Sequence, residues 1–269
     1  MKRYLFLFAL LLFVAPCAMA QKQLMVAGTG DSQAVLRLLA EGFEAANPGT
    51  KIIVPDSIGS SGGVKALVKG QADLARIARP LKDKEKKLAD DLHQLVFSYS
   101  PVVFVANRSD GCVKSISSAQ VGAIFSGEIN DWSQLGCGKQ KIYVAMREEG
   151  DSSRSILKKK ISEFKAIQQF TGKELYSTPE ALQTLEETPF TIGFLPLGIV
   201  TDKLKVLSYN DVAPSESNVK GGAYPLVSPF GIVWRGDLAG LAKQFVDYLF
   251  SPAAQKLMRD AGVVPAEAR

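Results

Sequence analysis

The residues with the most chemistry per position are Arg147-Glu148-Glu149-Gly150-Asp151-Ser152-Ser153-Arg154, a small polar turn leading into the helix-like segment SILKKKISEF. The first N–H groups of a helix lack intrahelical partners and lie beside the positive end of its dipole. Two arginines and two hydroxyls bracket that end here. All of these groups donate hydrogen bonds to oxyanion oxygens, so together they describe a socket for a small anion. The same residues would also serve an ordinary N-capped surface helix with solvated arginines.

Two further turns have the same construction. The strand candidate Leu24 to Ala27 runs into Gly28-Thr29-Gly30-Asp31-Ser32 and then the helix pattern AVLRLLAEGFEAA. The strand candidate Lys51 to Val54 is followed by Gly59-Ser60-Ser61-Gly62-Gly63 and then VKALVKG. Glycine lets backbone turn sharply and approach a ligand, and three such turns can converge at the carboxyl ends of parallel strands.

With these turns in hand, the chain resembles the substrate-binding proteins of bacterial phosphate ABC transporters, in the type II periplasmic binding superfamily. The resemblance runs from Leu24 to Pro265 and is carried by GSSGGVKALVKGQADLA, FSGEINDWSQLG, REEGDSSR, TIGFLPLGIV, NVKGGAYPLVSPFGIVW and FVDYLFSPAAQKLMRDAGVVP. It implies an α/β fold of two lobes, each a sheet flanked by helices, with a hinge-closing cleft between them. The implied division is residues 21–104 and 205–269 for lobe one and 105–204 for lobe two. It implies capture of inorganic phosphate or a similar small oxyanion, with no cofactor, no metal and no nucleic acid. The implied partner is an inner-membrane ABC transporter permease, served by a monomer.

Aligned on the turns, the resemblance puts Thr29, Asp31, Ser60, Arg147, Asp151, Ser152 and Ser153 against the ligand. Ser60 and Ser153 would donate hydroxyl hydrogen bonds, and Arg147 a two-pronged guanidinium fork. Arg76 and Arg79 flank the same region and are equally readable as salt-bridged, while Trp132 reads as packing. The departures fall at Asp31 and Asp151, where relatives commonly place serine or threonine, and at Ala78, where they place serine. A carboxylate suits an oxyanion that keeps a proton and repels one that is fully ionised. Two of them also fit an adaptor or sensor with an altered ligand.

The amino terminus agrees with export. Lys2 and Arg3 precede an apolar run from Tyr4 to Pro16 and then Ala18-Met19-Ala20, the pattern of a cleaved signal peptide over residues 1–20. A lipoprotein would use Cys17, but Pro16 stands where a small residue is needed. The destination is the periplasm, where the remaining Cys112 and Cys137 are expected as a disulfide; two reduced buried thiols are the alternative. With a single histidine and these distant thiols, metal binding is not indicated. The formal charge of +5 is spread out, and the Lys158-Lys159-Lys160 run reads as a solvated helix face.

Alternating strand and helix patterns predict parallel sheets. Lys82 to Leu92 reads as a charged helix, with separate strands near Leu95–Phe97 and Val102–Ala106 and a later strand at Gly231–Trp234. A competing enzyme reading exists. Gly59-Ser60-Ser61-Gly62-Gly63 satisfies the G-x-S-x-G nucleophile pattern, and His93 lies beside Asp90 and Asp91. A Ser61–His93–Asp hydrolase requires the imidazole within hydrogen-bond reach of Ser61.

Overall fold

The long strand from Leu92 to Ala106 organises the molecule, because its two ends belong to two different cores. The structure is a computed structural model that describes residues 21–107 and 112–267. The expected signal peptide lies outside the described residues.

The elements alternate along the chain. First come β1 (Lys22–Gly28), α1 (Gln33–Ala46), β2 (Thr50–Ile53), α2 (Gly59–Val68), β3 (Leu74–Ile77), α3 (Asp83–Lys86) and β4 (Leu92–Ala106). Next are β5 (Ser115–Ile116), α4 (Ser118–Ser126), β6 (Tyr143–Arg147), α5 (Ser152–Lys160), α6 (Ser162–Ala166), β7 (Lys173–Leu175) and α7 (Thr178–Glu187). Last come β8 (Thr191–Pro196), β9 (Lys205–Tyr209), α8 (Glu216–Lys220), β10 (Val227–Arg235), α9 (Gly240–Tyr248), α10 (Pro252–Asp260) and β11 (Val264–Pro265).

The strands follow the order β2-β1-β3-β10-β4-β8-β6-β7. Pairs β1–β2, β1–β3, β6–β7 and β6–β8 are parallel, as the alternation predicts. The strands β10 and β4, which carry the chain between the halves, are antiparallel to their neighbours, so the sheets are mixed. One core holds Leu24, Leu36, Phe43, Phe97, Phe230 and Phe245; the other holds Phe104, Phe125, Trp132, Phe164, Phe194 and Leu226. The expected return to the first lobe at residue 205 is not where the packing changes. Leu207, Tyr209, Tyr224 and Leu226 are all buried in the second core, and the change falls between Leu226 and Phe230.

Two other expectations need correcting. The charged stretch after Lys82 is helical only over Asp83–Lys86, and His93 lies on β4, its ring stacked on Trp234 at 5.5 Å. Gly59-Ser60-Ser61-Gly62-Gly63 is the opening of α2 rather than a loop before it. Gly63 is required there, since a Cβ would lie 2.6 Å from the Cα of Gly28, and this contact seats α2 against β1.

Trp132 is packing, as read: it is fully buried and its indole N–H donates to the Phe190 carbonyl at 3.0 Å. Cys112 and Cys137 form a disulfide. Lys158 is not merely solvated, for it bonds Glu149 at 2.6 Å and lies 5.7 Å from the Phe170 ring. Among the described residues, no helix is long and apolar enough to cross a membrane.

Candidate anion-binding site

Four helices begin at one place: α1 and α2 from the first half, α5 and α7 from the second. Each follows a strand end, so the chain delivers polar turn residues there with their backbone N–H groups unclaimed by the helix. No side chain caps α1 or α2. At α5, Asp151 is the cap and accepts from the Arg154 N–H at 2.8 Å; at α7, Ser177 accepts from the Glu180 N–H at 3.2 Å.

The halves touch through hydroxyls. Ser60 Oγ and Ser152 Oγ are 3.0 Å apart, and Ser60 Oγ also accepts from the Ala78 N–H at 3.3 Å. Ser153 Oγ donates to Asp31 Oδ2 at 3.2 Å and Thr178 Oγ1 donates to Asp31 Oδ1 at 2.8 Å. Thr29 accepts from the Asp31 N–H through its side chain at 3.3 Å, shaping the turn after β1. All seven residues aligned to the ligand in the sequence, Thr29, Asp31, Ser60, Arg147, Asp151, Ser152 and Ser153, are buried. Asp31, Ser153, Arg147 and Asp151 are joined through these bonds, Thr178 and those of Arg147, while Ser60 and Ser152 form a second pair across the halves.

Arg147 ends β6 and enters the cluster, but not as a free fork. Its Nε donates to the Leu175 carbonyl at 3.2 Å, its Nη1 to Thr178 Oγ1 at 2.9 Å, and its Nη2 pairs with Asp151 Oδ2 at 3.0 Å. The guanidinium therefore stands between two buried carboxylates. Burial pushes the Asp31 carboxyl above its usual range against the pull of Arg147 and its two hydroxyl donors. Burial and the charge of Asp31 do the same to Asp151, again against Arg147.

The other arginines are engaged elsewhere. Arg76 is fully buried and donates to the carbonyls of Thr29 at 2.8 Å, Pro55 at 2.7 Å and Val26, which ties together the turns after β1 and β2. Arg79 pairs with buried Glu85 at 2.7 Å and donates to Ser61 Oγ at 2.9 Å. Arg154 points to Glu149 and Glu174 and stacks 4.6 Å from the Phe170 ring, so only one of the two bracketing arginines reaches the cluster. Ser61 donates to Glu85 at 2.7 Å while His93 stacks on Trp234, so the Ser–His pairing that a hydrolase needs is not made.

Two residues were missed by the sequence reading. Thr178 bridges Arg147 and Asp31, yet in the sequence Ser177-Thr178-Pro179-Glu180 looks like a routine helix start. Ser32 caps α1 geometrically, but its buried hydroxyl has no hydrogen-bond partner. Among the described residues, no group of histidine, cysteine and carboxylate side chains could hold a metal ion.

A family model described as a PBP superfamily domain matches residues 14–253. The chain is 30% identical over 250 residues to the phosphate-binding protein PstS of Bacillus subtilis, spanning 91% of this chain and 81% of that protein. It is 24% identical over 253 residues to PstS of Borreliella burgdorferi, spanning 90% and 89%. In fold it is similar to a Clostridium perfringens structure described as a phosphate ABC transporter substrate-binding protein with bound phosphate, at a TM-score of 0.80 and 22% identity over 91% of this chain and all of that one. An ABC-type phosphate transport receptor from Vibrio cholerae gives a TM-score of 0.67 at 25% identity, over 90% of this chain and 99% of that one.

Proposed function

We propose that this chain, which belongs to the PBP superfamily, is a binding protein rather than an enzyme, holding inorganic phosphate or a similar oxyanion between its two lobes. The observation that carries this reading is the meeting of four helix N-termini and the hydroxyls of Ser60, Ser152, Ser153 and Thr178 around Arg147. Phosphate has four oxygens in a tetrahedron, and donors arriving from two facing halves suit that shape better than a flat donor set would. The relatives named for phosphate binding support the choice of anion.

In this reading Thr29, Ser60, Ser152 and Ser153 offer hydroxyl and backbone donors, and Arg147 supplies the positive charge. Asp31 and Asp151 position Arg147 and can accept a proton from the ligand. Thr178 and the free hydroxyl of Ser32 join the same set. The lobes divide where β4 and β10 pass between the cores, not at residue 205. The protein works as a periplasmic monomer after loss of residues 1–20 and hands its ligand to an ABC transporter permease. The adaptor reading draws its support from the departures at Asp31, Asp151 and Ala78 and from the occupation of two site hydroxyls by Asp31.

The test is calorimetric titration of refolded, ligand-free mature protein with phosphate and with sulfate, alongside thermal melting. One-to-one phosphate binding is expected, and ligand at a hundredfold its Kd should stabilise the fold by about 2.7 kcal/mol through mass action. Flat traces at millimolar phosphate, from folded protein, would remove the phosphate reading and leave the adaptor.

A further inference from the structure

An arginine stands where a buried strand calls for an apolar residue. Arg76 lies on β3 between β1 and β10, beside Ala75 and Ile77, and is fully buried. Taking a charge out of water is costly unless it is well paired. Among the described residues, however, every hydrogen bond of its guanidinium goes to a neutral oxygen. Nε donates to the Thr29 carbonyl at 2.8 Å and Nη1 to the Val26 carbonyl, while Nη2 donates to the Pro55 carbonyl at 2.7 Å and to Gln33 Oε1 at 3.3 Å. Burial lowers its pKa to about 10, so the charge is still present at neutral pH.

Val26, Thr29 and Gln33 lie in or beside the turn that opens α1, and Pro55 lies in the turn that opens α2. A trans peptide sets its N–H opposite its C=O. Anchoring the Thr29 carbonyl on Arg76 therefore aims the Gly30 N–H away from the guanidinium, and the Pro55 bond does the same for the Asp56 N–H. The turns are cross-tied as well, the Thr29 N–H donating to the Arg76 carbonyl at 3.1 Å and the Ile58 N–H to the Gly28 carbonyl at 3.0 Å. Gly28 must lack a side chain for this approach, since a Cβ there would lie 2.9 Å from Arg76 Cγ. A planar guanidinium fork can hold acceptors on two turns at once, whereas a lysine has all its donors on one atom. We propose that Arg76 is a positioning residue of the anion site. Without touching the ligand, it fixes the direction in which the two first-lobe turns present their N–H groups, and it puts positive charge behind them. This inference deepens the phosphate reading above and rests on it.

The experiment is titration of refolded mature protein with inorganic phosphate, followed in proton–nitrogen amide spectra, as wild type, Arg76→Met and Arg76→Lys. Far-UV circular dichroism establishes that each is folded, and Arg76→Lys carries the same comparison if Arg76→Met does not fold. In the wild type, phosphate should shift the amides of Gly30, Ser32 and Ser60 from the first lobe and of Ser152 and Ser153 from the second. Arg76→Met should bind phosphate about tenfold or more weakly, the loss of one well-aimed donor to a charged group. At saturating phosphate its first-lobe amides should lose most of their shift while Ser152 and Ser153 keep theirs. Arg76→Lys, which keeps the charge but not the fork, should fall between. A folded Arg76→Met with unchanged phosphate affinity would overturn the inference and leave the phosphate reading standing. So would shifts that shrink equally in both lobes, because a merely structural loss would not single out the first-lobe turns. A wild type in which phosphate moves none of these amides would remove the phosphate reading, and this inference with it.

Discussion

Asp151→Asn offers a quantitative check on the electrostatics of the site. Asp151 caps α5 through Oδ1 and pairs with Arg147 through Oδ2, while facing the charge of Asp31. Burial and Asp31 push its carboxyl from 3.8 to about 7. The folded chain therefore holds a proton that the unfolded chain has released. This contribution to stability is fully present below 3.8 and is lost as pH rises through about 7. At about 1.36 kcal/mol per pH unit, that interval amounts to roughly 4 kcal/mol.

Asparagine removes the titration and keeps an oxygen for the cap, since it caps helices about as well as aspartate. Its amide N–H₂ would face the Arg147 donors, so one charge-assisted hydrogen bond is lost, at about 1.5–3 kcal/mol. The variant should therefore be less stable than wild type near pH 4 and more stable near pH 8, with the order reversing between. For a domain of this size the swing in relative Tm should be roughly 8–16 °C. Melting of both ligand-free proteins from pH 4 to pH 8 measures it; Asp31 titrates together with Asp151 as a pair, while groups away from that pair largely cancel in the difference. Parallel curves across that range would refute the reasoning, because they would mean that Asp151 does not change protonation in the folded state.

Arg147→Ala should weaken phosphate binding by tenfold or more, since a charge-assisted partner is worth about 1.5–3 kcal/mol, whereas Ser61→Ala should stay within a few-fold in the same titration. Arg79→Ala strands Glu85 in the interior and should cost about 3–5 kcal/mol in urea unfolding at neutral pH. Burial pushes Glu85 up, but the Arg79 bonds, the Lys82 N–H and the Ser61 hydroxyl outweigh it and hold the carboxyl at about 2. That pair's stabilisation is therefore complete above 4.5 and lost as pH falls through about 2, and Arg79→Ala should remove this acid-sensitive part of the unfolding profile. Reduction of the Cys112–Cys137 bridge, which spans 25 residues, should lower stability by about 3 kcal/mol, read from melts with and without reductant.

The turns were legible in the sequence because residue type marks them, whatever they touch. Glycine breaks the strand and helix patterns at Gly28 and Gly63, where distant backbone comes too close for a Cβ, and serine and threonine gather at helix starts for the N–H groups there. Thr178 and the roles of Arg76 and Arg79 were not legible, because their partners lie far along the chain or in another element. The crossover strands were misread through their prolines. Pro101 made β4 look like two strands, and Pro229 hid the first part of β10, since proline lacks the N–H of a ladder. Their register pairs Val227 with Pro101 and Pro229 with Tyr99, so both prolines lie where the chain passes from one core to the other. The lysine- and aspartate-rich run from Lys82 to Leu92 reads as a helix because its charges have helical spacing. That run forms barely one turn before β4 begins.

Charge balance limits how such a site can take an anion at all. Among the described residues, Arg147 is the one cation bonded within the cluster, and it already faces Asp31 through Thr178 and Asp151 directly. With both carboxylates ionised, the three groups carry a net negative charge, and burying an oxyanion beside them without another proton would be strongly unfavourable. Both carboxyls are held above their ordinary range, and that of Asp151, pushed to about 7, makes a proton available near neutral pH. Whether that proton resides on an aspartate or on the ligand, the bound state needs it at the boundary between them. An oxyanion that can share a proton with a carboxylate fits this requirement through one hydrogen bond. A fully ionised one must rely on the protein to stay protonated, which becomes harder with each rise in pH.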